Sequence, residues 1–381
     1  MRLFHNDIIK ARFMHRPNRF ILVCEYENKP VQAFLPNPGR LWELLLPDVE
    51  VYLEKDLSSQ RKTHYTAVAV IRDGCPVMVH THRSNDLAQF LIEHDLIPEL
   101  NQAQVLKREV SIGKSRFDFL LKNNSQDMVL EVKSCTLFNN SLAMFPDAVT
   151  SRGKRHVEEL IHLTNDTRIG CILFLVYAPD TEFFLPEFHI DPDFASELYK
   201  AKDKLMILPY SVNFDHNMNL ISSIKKLTIP WNILETESGD RGSYCILLRL
   251  PEACSIEVGA SGTRHFKKGY YIYAGSAMKE LSKRIARHQR RKKRFFWHID
   301  YLRDRAEFHA ALPIRSSKQL ECLLARHIKK IAQEEIQGFG SSDCNCTSHL
   351  FYMEKDPLSS PEFIKFLLYY RMDRLVVMEE F

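Results

Sequence analysis

The stretch Arg116-Phe117-Asp118-Phe119-Leu120-Leu121, followed ten residues later by Glu131-Val132-Lys133-Ser134, predicts two neighbouring β-strands. Both segments are rich in Phe, Leu and Val, and a polar turn separates them. Side chains two positions apart on a strand share a face, so Glu131 and Lys133 project together. If the strands pair, Asp118 lies beside them. The stretch therefore predicts a hairpin that gathers two carboxylates and a lysine.

This set of side chains suits metal-dependent phosphodiester hydrolysis. The acids Asp118 and Glu131 hold Mg²⁺ or Mn²⁺, which polarises the phosphate and lowers the pKa of a bound water, and Lys133 positions that water. The alternative is a salt-bridged hairpin edge, because the pattern Asp…Glu-x-Lys is common. Both interpretations stay open on these residues alone.

The residues around the hairpin resemble the sugar fermentation stimulation protein A (SfsA) family over residues 1–225. The matching motifs are Ser134–Leu137, Met144–Thr150, Arg152–His156, Pro36–Leu41, Arg83–Asn85, Asp191-Pro192 and Ala201. The resemblance implies an OB-like β-domain at 1–82, a PD-(D/E)XK nuclease-like α/β core at 83–225, and association with DNA. One departure is Ser151, which stands where the family usually has glutamate.

Two further features of this half suggest contact with DNA. The Pro36–Leu41 segment is a turn by composition, and Arg40 makes it either a phosphate-approaching loop or a bare turn. A helix predicted over about 152–164 places Arg152 and His156 on one face, where they either flank the metal site or belong to an exposed helical face.

Composition narrows the class of protein. A length of 381 residues predicts two or three domains, and 45% apolar residues suffice for their cores. Because no run reaches the ~18 apolar residues of a membrane helix and the N-terminus is too polar for a signal peptide, we expect a cytoplasmic protein without membrane association. Nine cysteines, several within apolar strands, are typical of reduced core residues.

After a linker predicted at 226–241, a second pattern begins. The segments that carry it are Gly242–Tyr244, Gly269–Ser276, Leu281–His288, Trp297–Leu302 and Phe339–Cys344. They resemble an uncharacterised branch of the GIY-YIG nuclease superfamily at 242–355, followed by a C-terminal extension at 356–381. The resemblance implies that Tyr244 and Tyr273 handle the nucleophilic water, Arg284 neutralises phosphate charge, Glu321 holds Mg²⁺ and His288 lies beside them. Ser243 and Ala274 depart from the family pattern.

Glu321 can also be placed from local signals. Residues Ser316–Gln319 fit a capping box and predict the start of a helix. On that helix Leu320, Leu324 and Ile328 form an apolar stripe, and Glu321 lies at its margin. A carboxylate in this position needs a partner, whether a metal or a base.

A basic run precedes this helix. Lys283 to Arg294 contains eight Lys or Arg and no acid in twelve residues, and Phe295-Phe296-Trp297 follows. The run is either a solvated face or, as its position between catalytic candidates favours, a phosphate-binding surface with stacking aromatics. The predicted nucleic-acid-binding residues are Arg40, Arg152, His156, Arg287, Arg290, Arg291, Lys292, Lys293 and Arg294.

A cysteine-rich segment ends the second pattern. Cys344, Cys346 and His349, with Cys322 upstream, offer metal-ligand atoms, but their spacing matches no standard zinc module. The sequence therefore does not favour a zinc site at these residues.

Taken together, the sequence predicts an α/β (α+β) multidomain protein that joins two nucleic-acid-acting modules. The favoured function is Mg²⁺-dependent or Mn²⁺-dependent hydrolysis of DNA by an endonuclease, with no small-molecule cofactor evident. One alternative is a DNA-binding or regulatory protein of the sugar fermentation type that retains nuclease folds without cutting. Another is a scaffold in which the acids only stabilise strands.

Overall fold

The computed structural model describes residues 3–4, 6–56, 63–123, 126–221, 223–259, 262–341 and 344–377. The chain divides into two units, Met1–Trp231 and Asn232–Phe381. A few residues used in the sequence predictions lie outside the described ones: Asn124 and Ser125 of the hairpin turn, Ser222 before the linker, Ser342 and Asp343 of the second pattern, and 378–381 of the C-terminal extension.

The first unit begins with a β-barrel. Its strands are β1 (Ile8–Asn18), β2 (Ile21–Tyr26), β3 (Lys29–Phe34), β4 (Glu50–Lys55), β5 (Tyr65–Arg72) and β6 (Cys75–Met78). They form a sheet in the order β3-β2-β1-β4-β5-β6, and an additional pairing of β3 with β5 closes it. Leu22, Val51 and Val68 are fully buried inside. The predicted OB-like β-domain is confirmed.

An α/β region follows the barrel. Its elements are α1 (Ser84–Glu93), β7 (Gln104–Ile112), β8 (Ser115–Asn123), β9 (Gln126–Cys135), β10 (Leu137–Asn139), β11 (Leu142–Phe145), α2 (Ser151–Leu163), β12 (Arg168–Val176), β13 (Phe183–Pro186), α3 (Pro192–Lys200), β14 (Met206–Ser211) and β15 (Lys225–Lys226). The main sheet has the order β15-β14-β12-β9-β8-β7, and β10-β11-β13 form a smaller one.

Strand β9 lies at the centre of the main sheet. It pairs antiparallel with β8 as the predicted hairpin, and parallel with β12. A parallel partner requires a long crossover, which here contains α2. Thr150 caps α2 by accepting a hydrogen bond from the Gly153 amide at 3.0 Å, so the helix begins within a residue of its predicted start. Asp118 and Glu131 therefore lie on inner strands of the main sheet.

The second unit is built on a five-stranded sheet. Its elements, with the helix α4 that precedes it, are α4 (Trp231–Glu237), β16 (Gly242–Leu250), β17 (Cys254–Glu257), β18 (Thr263–Phe266), β19 (Gly269–Ala277), α5 (Leu281–Gln289), α6 (His298–Arg305), β20 (Glu307–Arg315), α7 (Glu321–Ile331), β21 (Glu334–Glu335), β22 (Leu350–Met353), α8 (Pro361–Leu368) and α9 (Arg374–Val377). The sheet order is β20-β16-β19-β22-β21, and β17 and β18 form a separate hairpin.

The predicted capping box at Ser316–Gln319 is wrong. Helix α7 begins at Glu321, and its N-cap Leu320 makes no side-chain capping bond. The two serines are engaged elsewhere, because Ser316 accepts from the Lys318 amide at 3.0 Å and Ser317 donates to Glu237. Glu321 therefore occupies the first turn of the helix, where a negative charge is favoured by the helix dipole.

The region predicted as a linker is structured at its end. It contains α4, whose last residue Glu237 is buried. The Glu237 carboxylate accepts hydrogen bonds from the Ser317 amide at 3.1 Å and from Arg374 at 2.9 Å. Residues 232–241 therefore fold with the second unit. Among the described helices, none combines the length and apolarity needed to cross a bilayer.

Candidate active sites

Asp118 is fixed at the middle of β8 by two hydrogen bonds. Its Oδ1 accepts from the Asn85 side chain at 2.7 Å and its Oδ2 from the Val132 amide at 2.8 Å. Burial and the negative charge of Glu131 raise the pKa of Asp118 above its ordinary value. The hydrogen bond that Asp118 accepts from the Val132 amide, next to Glu131 on β9, places the two acids on neighbouring strands, where their charges repel each other.

Glu131 is buried on β9 and has one occupied oxygen and one free one. Its Oε1 accepts from Lys133 and, at 2.6 Å, from His156 Nδ1. Its Oε2 is buried and has no hydrogen-bond partner among the described residues. Burial opposes ionisation, but the hydrogen bond from His156 and the charge of Lys133 together lower the pKa of Glu131. The lowered pKa favours an ionised Glu131 carboxylate, and one of its oxygens, Oε2, is left to bind a ligand.

His156 belongs to this site rather than to a surface. The ring is 1% exposed, and its Nε2 accepts from Arg152 Nε at 3.3 Å. Because Nε2 accepts, Nδ1 carries the hydrogen that is donated to Glu131. The interpretation of His156 as part of an exposed helical face is wrong, and its burial does not suit the predicted direct contact with nucleic acid. It positions Glu131.

The loop that carries Arg40 is held from two sides. Arg16 donates to the Gly39 and Arg40 carbonyls, both at 2.8 Å, and Asp147 accepts from the Leu41 amide at 2.7 Å. A Cβ on Gly39 would lie 2.7 Å from Asp147 Oδ2, so this approach requires glycine. The Arg40 guanidinium lies 4.8 Å from the centre of the Trp42 ring.

Sequence reasoning missed three residues of this region. Asn85, Arg16 and Asp147 were not assigned roles, although Asn85 and Asp147 lie in the quoted motifs. Asn85 could have been found as the amide in a short Arg83–Asn85 motif. Arg16 gives no local signal for its role at this loop, because its partners there, the carbonyls of Asn37, Gly39 and Arg40, lie more than 20 residues away.

In the second unit, Tyr244 and His288 form a buried pair. The Tyr244 hydroxyl lies 2.9 Å from His288 Nε2, and Tyr273 packs against the same imidazole. Burial and the nearby Lys293 charge lower the pKa of His288 to about 3, while burial raises the pKa of both tyrosines. A neutral ring can accept a hydrogen bond from the Tyr244 hydroxyl at Nε2.

The close approach of Tyr244 explains why β19 carries a glycine at position 275. A Cβ at this position would lie 2.6 Å from the Tyr244 ring. The glycine is thus required where the two strands bring Tyr244 across the backbone of β19. The substituted neighbours Ser243 and Ala274 are both fully buried, and the Ser243 hydroxyl accepts from the Leu320 amide at 2.9 Å.

Glu321 lies in the first turn of α7 with polar partners. It accepts from Ser276 and, at 2.9 Å, from His349 Nδ1. Burial opposes ionisation, but these hydrogen bonds lower the pKa of Glu321. Arg284 interacts with Tyr244 and lies 4.4 Å over the Trp297 ring. The structure thus connects Arg284 with the Tyr244–His288 pair, and Glu321 interacts electrostatically with both tyrosines.

The basic run divides into half-buried and exposed members. Arg287 and Lys293 pair with the buried Asp300 at 2.9 and 2.8 Å, which serves the fold. The exposed members are Lys283, Arg290, Arg291, Lys292 and Arg294. With Phe296 and Trp297, basic residues of the run line a cavity of about 660 Å³.

Three cysteines and a histidine meet beside Glu321. The Sγ atoms of Cys322, Cys344 and Cys346 and a ring nitrogen of His349 all lie within 4.8 Å of one another. The sequence named Cys322 together with Cys344, Cys346 and His349 but did not favour a zinc site, because their spacing matches no standard module. In the fold, α7 nevertheless brings Cys322 to the other three residues.

Known proteins resemble both units. Family models described as "SfsA N-terminal OB domain" and "Sugar fermentation stimulation protein RE domain" match residues 14–79 and 82–218. A "Sugar fermentation stimulation protein homolog" of Methanothermobacter thermautotrophicus is 38% identical over 225 residues, or 58% of this chain and 94% of the relative. The chain belongs to the sugar fermentation stimulation protein family. A second family member, from Natranaerobius thermophilus, is 37% identical and is covered over 85% of its length, against 53% of this chain.

A solved family structure and a second family model complete the comparison. The structure, described as "The structure of Pyrococcus Furiosus SfsA in complex with Ca2+", is 28% identical with a TM-score of 0.56 and covers 60% of this chain and 99% of its own. The model described as "Domain of unknown function DUF123" matches residues 243–368, consistent with the GIY-YIG-related domain predicted from the sequence.

Proposed function

We propose that the SfsA-like unit hydrolyses phosphodiester bonds in DNA with a divalent cation, Mg²⁺ or Mn²⁺, held by Asp118 and Glu131. The observation that carries the proposal is Glu131 Oε2, a buried oxygen without a hydrogen-bond partner among the described residues. Leaving such an oxygen unmatched costs about 1–3 kcal/mol, and a cation would satisfy it. The repulsion between the two acids would be relieved by the same ion.

The donor set fits a hard cation. Carboxylate oxygens are the ligands that Mg²⁺ and Mn²⁺ prefer, and one or two carboxylates per ion are usual for Mg²⁺. When bound, the ion would polarise the phosphate and acidify a water. The Ca²⁺ of the Pyrococcus furiosus relative supports a divalent site in the family, since Ca²⁺ also takes oxygen ligands.

The other residues would have positioning roles. His156 donates to Glu131 and is itself held by Arg152, while Asn85 holds Asp118. Lys133, 16% exposed and bonded to Glu131, would orient the attacking water or the phosphate. Arg40, on a loop fixed by Arg16, and the exposed Arg152 supply charge for the DNA backbone.

The test is metal binding followed by cleavage. Asp118→Asn should weaken Mg²⁺ and Mn²⁺ binding in calorimetric titrations and remove cleavage of single-stranded, duplex and branched DNA. Asp127→Asn is the matched control, because Asp127 lies on β9 but pairs with Lys122. Metal binding that is equal in the wild type and in Asp118→Asn would contradict the site. DNA binding without cleavage of any substrate would instead support the rival non-cleaving regulatory protein.

The second unit is a separate candidate for the same chemistry. Its supporting observation is the Tyr244 hydroxyl at 2.9 Å from a neutral His288. Through its hydroxyl, Tyr244 would orient the attacking water, while Arg284 would face the phosphate and Glu321 would hold Mg²⁺. The test is Tyr244→Phe, which removes only the hydroxyl and should reduce metal-dependent cleavage that persists in Asp118→Asn. Unchanged residual cleavage would contradict this second site.

A further inference from the structure

The cluster of three thiols and one imidazole in the second unit is gathered from distant positions. Cys322 comes from the first turn of α7, whereas Cys344, Cys346 and His349 come from the segment that leads into β22. His349 is 1% exposed, and its Nε2 lies 3.4 Å from Cys344 Sγ. The fold therefore brings four soft or borderline ligand atoms to one point.

The dimensions of the cluster match a tetrahedral metal. A zinc ion about 2.3 Å from each sulfur places neighbouring sulfurs about 3.8 Å apart. The four ligand atoms here lie within 4.8 Å of one another. A disulfide would use two of the thiols and leave the third thiol and the imidazole Nε2 without a shared partner, so the geometry favours a shared cation over a redox pair.

We infer that Cys322, Cys344, Cys346 and the Nε2 of His349 bind one zinc ion. Four protein ligands leave no open coordination position, so the site is structural and not catalytic. The ion would fix the first turn of α7 to the segment before β22. Binding requires thiolates and a neutral imidazole, so zinc displaces the thiol protons when it enters.

The site also reaches Glu321. His349 faces the sulfurs with Nε2 and Glu321 Oε1 with Nδ1, at 2.9 Å. A metal on Nε2 leaves the hydrogen on Nδ1, which must then donate to the carboxylate. Zinc would thus hold Glu321 as an oriented acceptor. This part rests on the function proposed for the second unit, whereas zinc binding itself does not.

The first experiment measures metal in the full-length chain. Protein purified under reducing conditions from a zinc-supplemented culture is dialysed into metal-free buffer and assayed by plasma mass spectrometry. About one zinc per chain is expected for the wild type and for Cys254→Ser, a half-buried cysteine of the same unit outside the cluster. Cys346→Ser should lose most of the zinc. Iron in place of zinc, a disulfide within the cluster, or metal-free wild type would each overturn the proposal.

Cobalt spectroscopy keeps the test valid if Cys346→Ser does not fold. The wild-type chain is stripped of metal and titrated with Co²⁺. Sulfur-to-cobalt charge-transfer bands and intense visible bands of a tetrahedral complex are expected, and they should vanish on addition of equimolar Zn²⁺. Weak bands typical of octahedral oxygen ligation would refute the assignment.

The link to Glu321 has its own measurement. Glu321→Ala should lower zinc affinity about 10–100-fold, as loss of an outer-shell partner does, in competition with a chromophoric chelator. Glu252→Ala, an exposed glutamate of the same unit, should not change it. Unchanged affinity in Glu321→Ala would overturn the link. Because no DNA or Mg²⁺ is present, these outcomes are independent of whether the second unit cleaves.

Discussion

The two units hold a glutamate in the same way but support it differently. Glu131 accepts from His156 Nδ1 at 2.6 Å, and Glu321 accepts from His349 Nδ1 at 2.9 Å. The opposite nitrogen of His156 accepts from Arg152, whereas that of His349 faces Cys344. In both units the imidazole fixes the direction of a carboxylate.

The two histidines differ in the sequence separation between each ring and the residues that contact its other nitrogen. Arg152 and His156 are one helical turn apart on α2, so the helix itself builds the support. His349 lies in a cluster with three cysteines, and one of these, Cys322, comes 27 positions earlier in the chain. The Arg152–His156 pair forms as soon as α2 folds. The His349 cluster joins separate segments of the chain, so a bound ion would stabilise it. The comparison therefore predicts that metal chelation affects the stability of the two units unequally.

Exchange of one glutamate at a time gives the largest expected effect. Glu131→Gln keeps the size but removes the charge that the cation needs, so cleavage by the first unit should fall on the order of 10³-fold. Glu321→Gln should spare that activity and reduce any cleavage by the second unit. The measurement is Mg²⁺-dependent cleavage by both single variants and the double variant. Identical residual cleavage in all three and in the wild type would identify a contaminant.

Removal of zinc should destabilise only the second unit. A ligand at 1,000 times its Kd stabilises a fold by about 4 kcal/mol, and a strong zinc chelator removes that contribution. Hydrogen exchange measured by mass spectrometry should become faster in β16 and β19 and remain unchanged in β9 and β12. Equal acceleration in both units would contradict the difference in support.

Acid should also affect the second unit through His288. Its pKa of about 3 lies below the value of ~6.5 expected in the unfolded chain, so the unfolded state binds more protons between these values. The contribution is complete above about pH 6.5 and is lost as the pH falls, by about 2 kcal/mol at pH 5. Urea unfolding followed by Trp297 fluorescence should give a shallower pH dependence for His288→Asn. If the free energy of unfolding of the wild type and of His288→Asn changed equally with pH, the interpretation of His288 as a buried neutral ring would be contradicted.

The first unit should respond to pH in the opposite direction. Burial, with the charge of Asp147, raises the pKa of Glu43 above its ordinary 4.5. The folded state then binds more protons than the unfolded state above pH 4.5, so this contribution weakens as the pH rises. Glu43→Gln should flatten the alkaline side of the stability curve for the first unit. Hydrogen exchange in β9 at several pH values measures the stability of the first unit. Glu93→Gln, a change at an exposed glutamate of the same unit, is the control.

The smallest effect concerns the basic run. Replacing the exposed Arg290, Lys292 and Arg294 by alanine should reduce the salt dependence of DNA binding by up to ~0.9 log units per lost phosphate contact. Lys293→Ala should instead lower stability, because it leaves the buried Asp300 with one cation fewer. Binding isotherms at several salt concentrations check this. An unchanged slope in the triple variant would mean that the run is a solvated face.

Short-range patterns predicted much of the first unit. The β8–β9 hairpin, α2 and the buried strand β12 follow from alternation, helical spacing and continuous apolar runs. These signals lie within about a dozen residues, so the sequence expresses them directly. The motif residues Asp118, Glu131 and Lys133 were located for the same reason, since strand periodicity already places two of them on one face.

Local rules failed where distant residues compete for the same groups. Ser316 and Ser317 have the composition of a helix cap, but one binds a backbone amide and the other binds Glu237, so α7 begins at Glu321. His156 has the spacing of an exposed face, yet its bond to Glu131 lies in the interior. Local propensity predicts which hydrogen bonds a side chain can make. It does not predict which partner the fold places within reach.

The sequence by itself determined the family and the α/β class, and it picked out Asp118 and Glu131 as the candidate acids of the first unit, because these depend on residue identity and short spacing. The tertiary structure decided that Cys322 meets Cys344, Cys346 and His349, that the buried His288 contacts the Tyr244 hydroxyl, and that Lys293 pairs with Asp300. Each of these contacts joins side chains from different elements. Their proximity follows from sheet pairing and helix packing, which no spacing along the chain records.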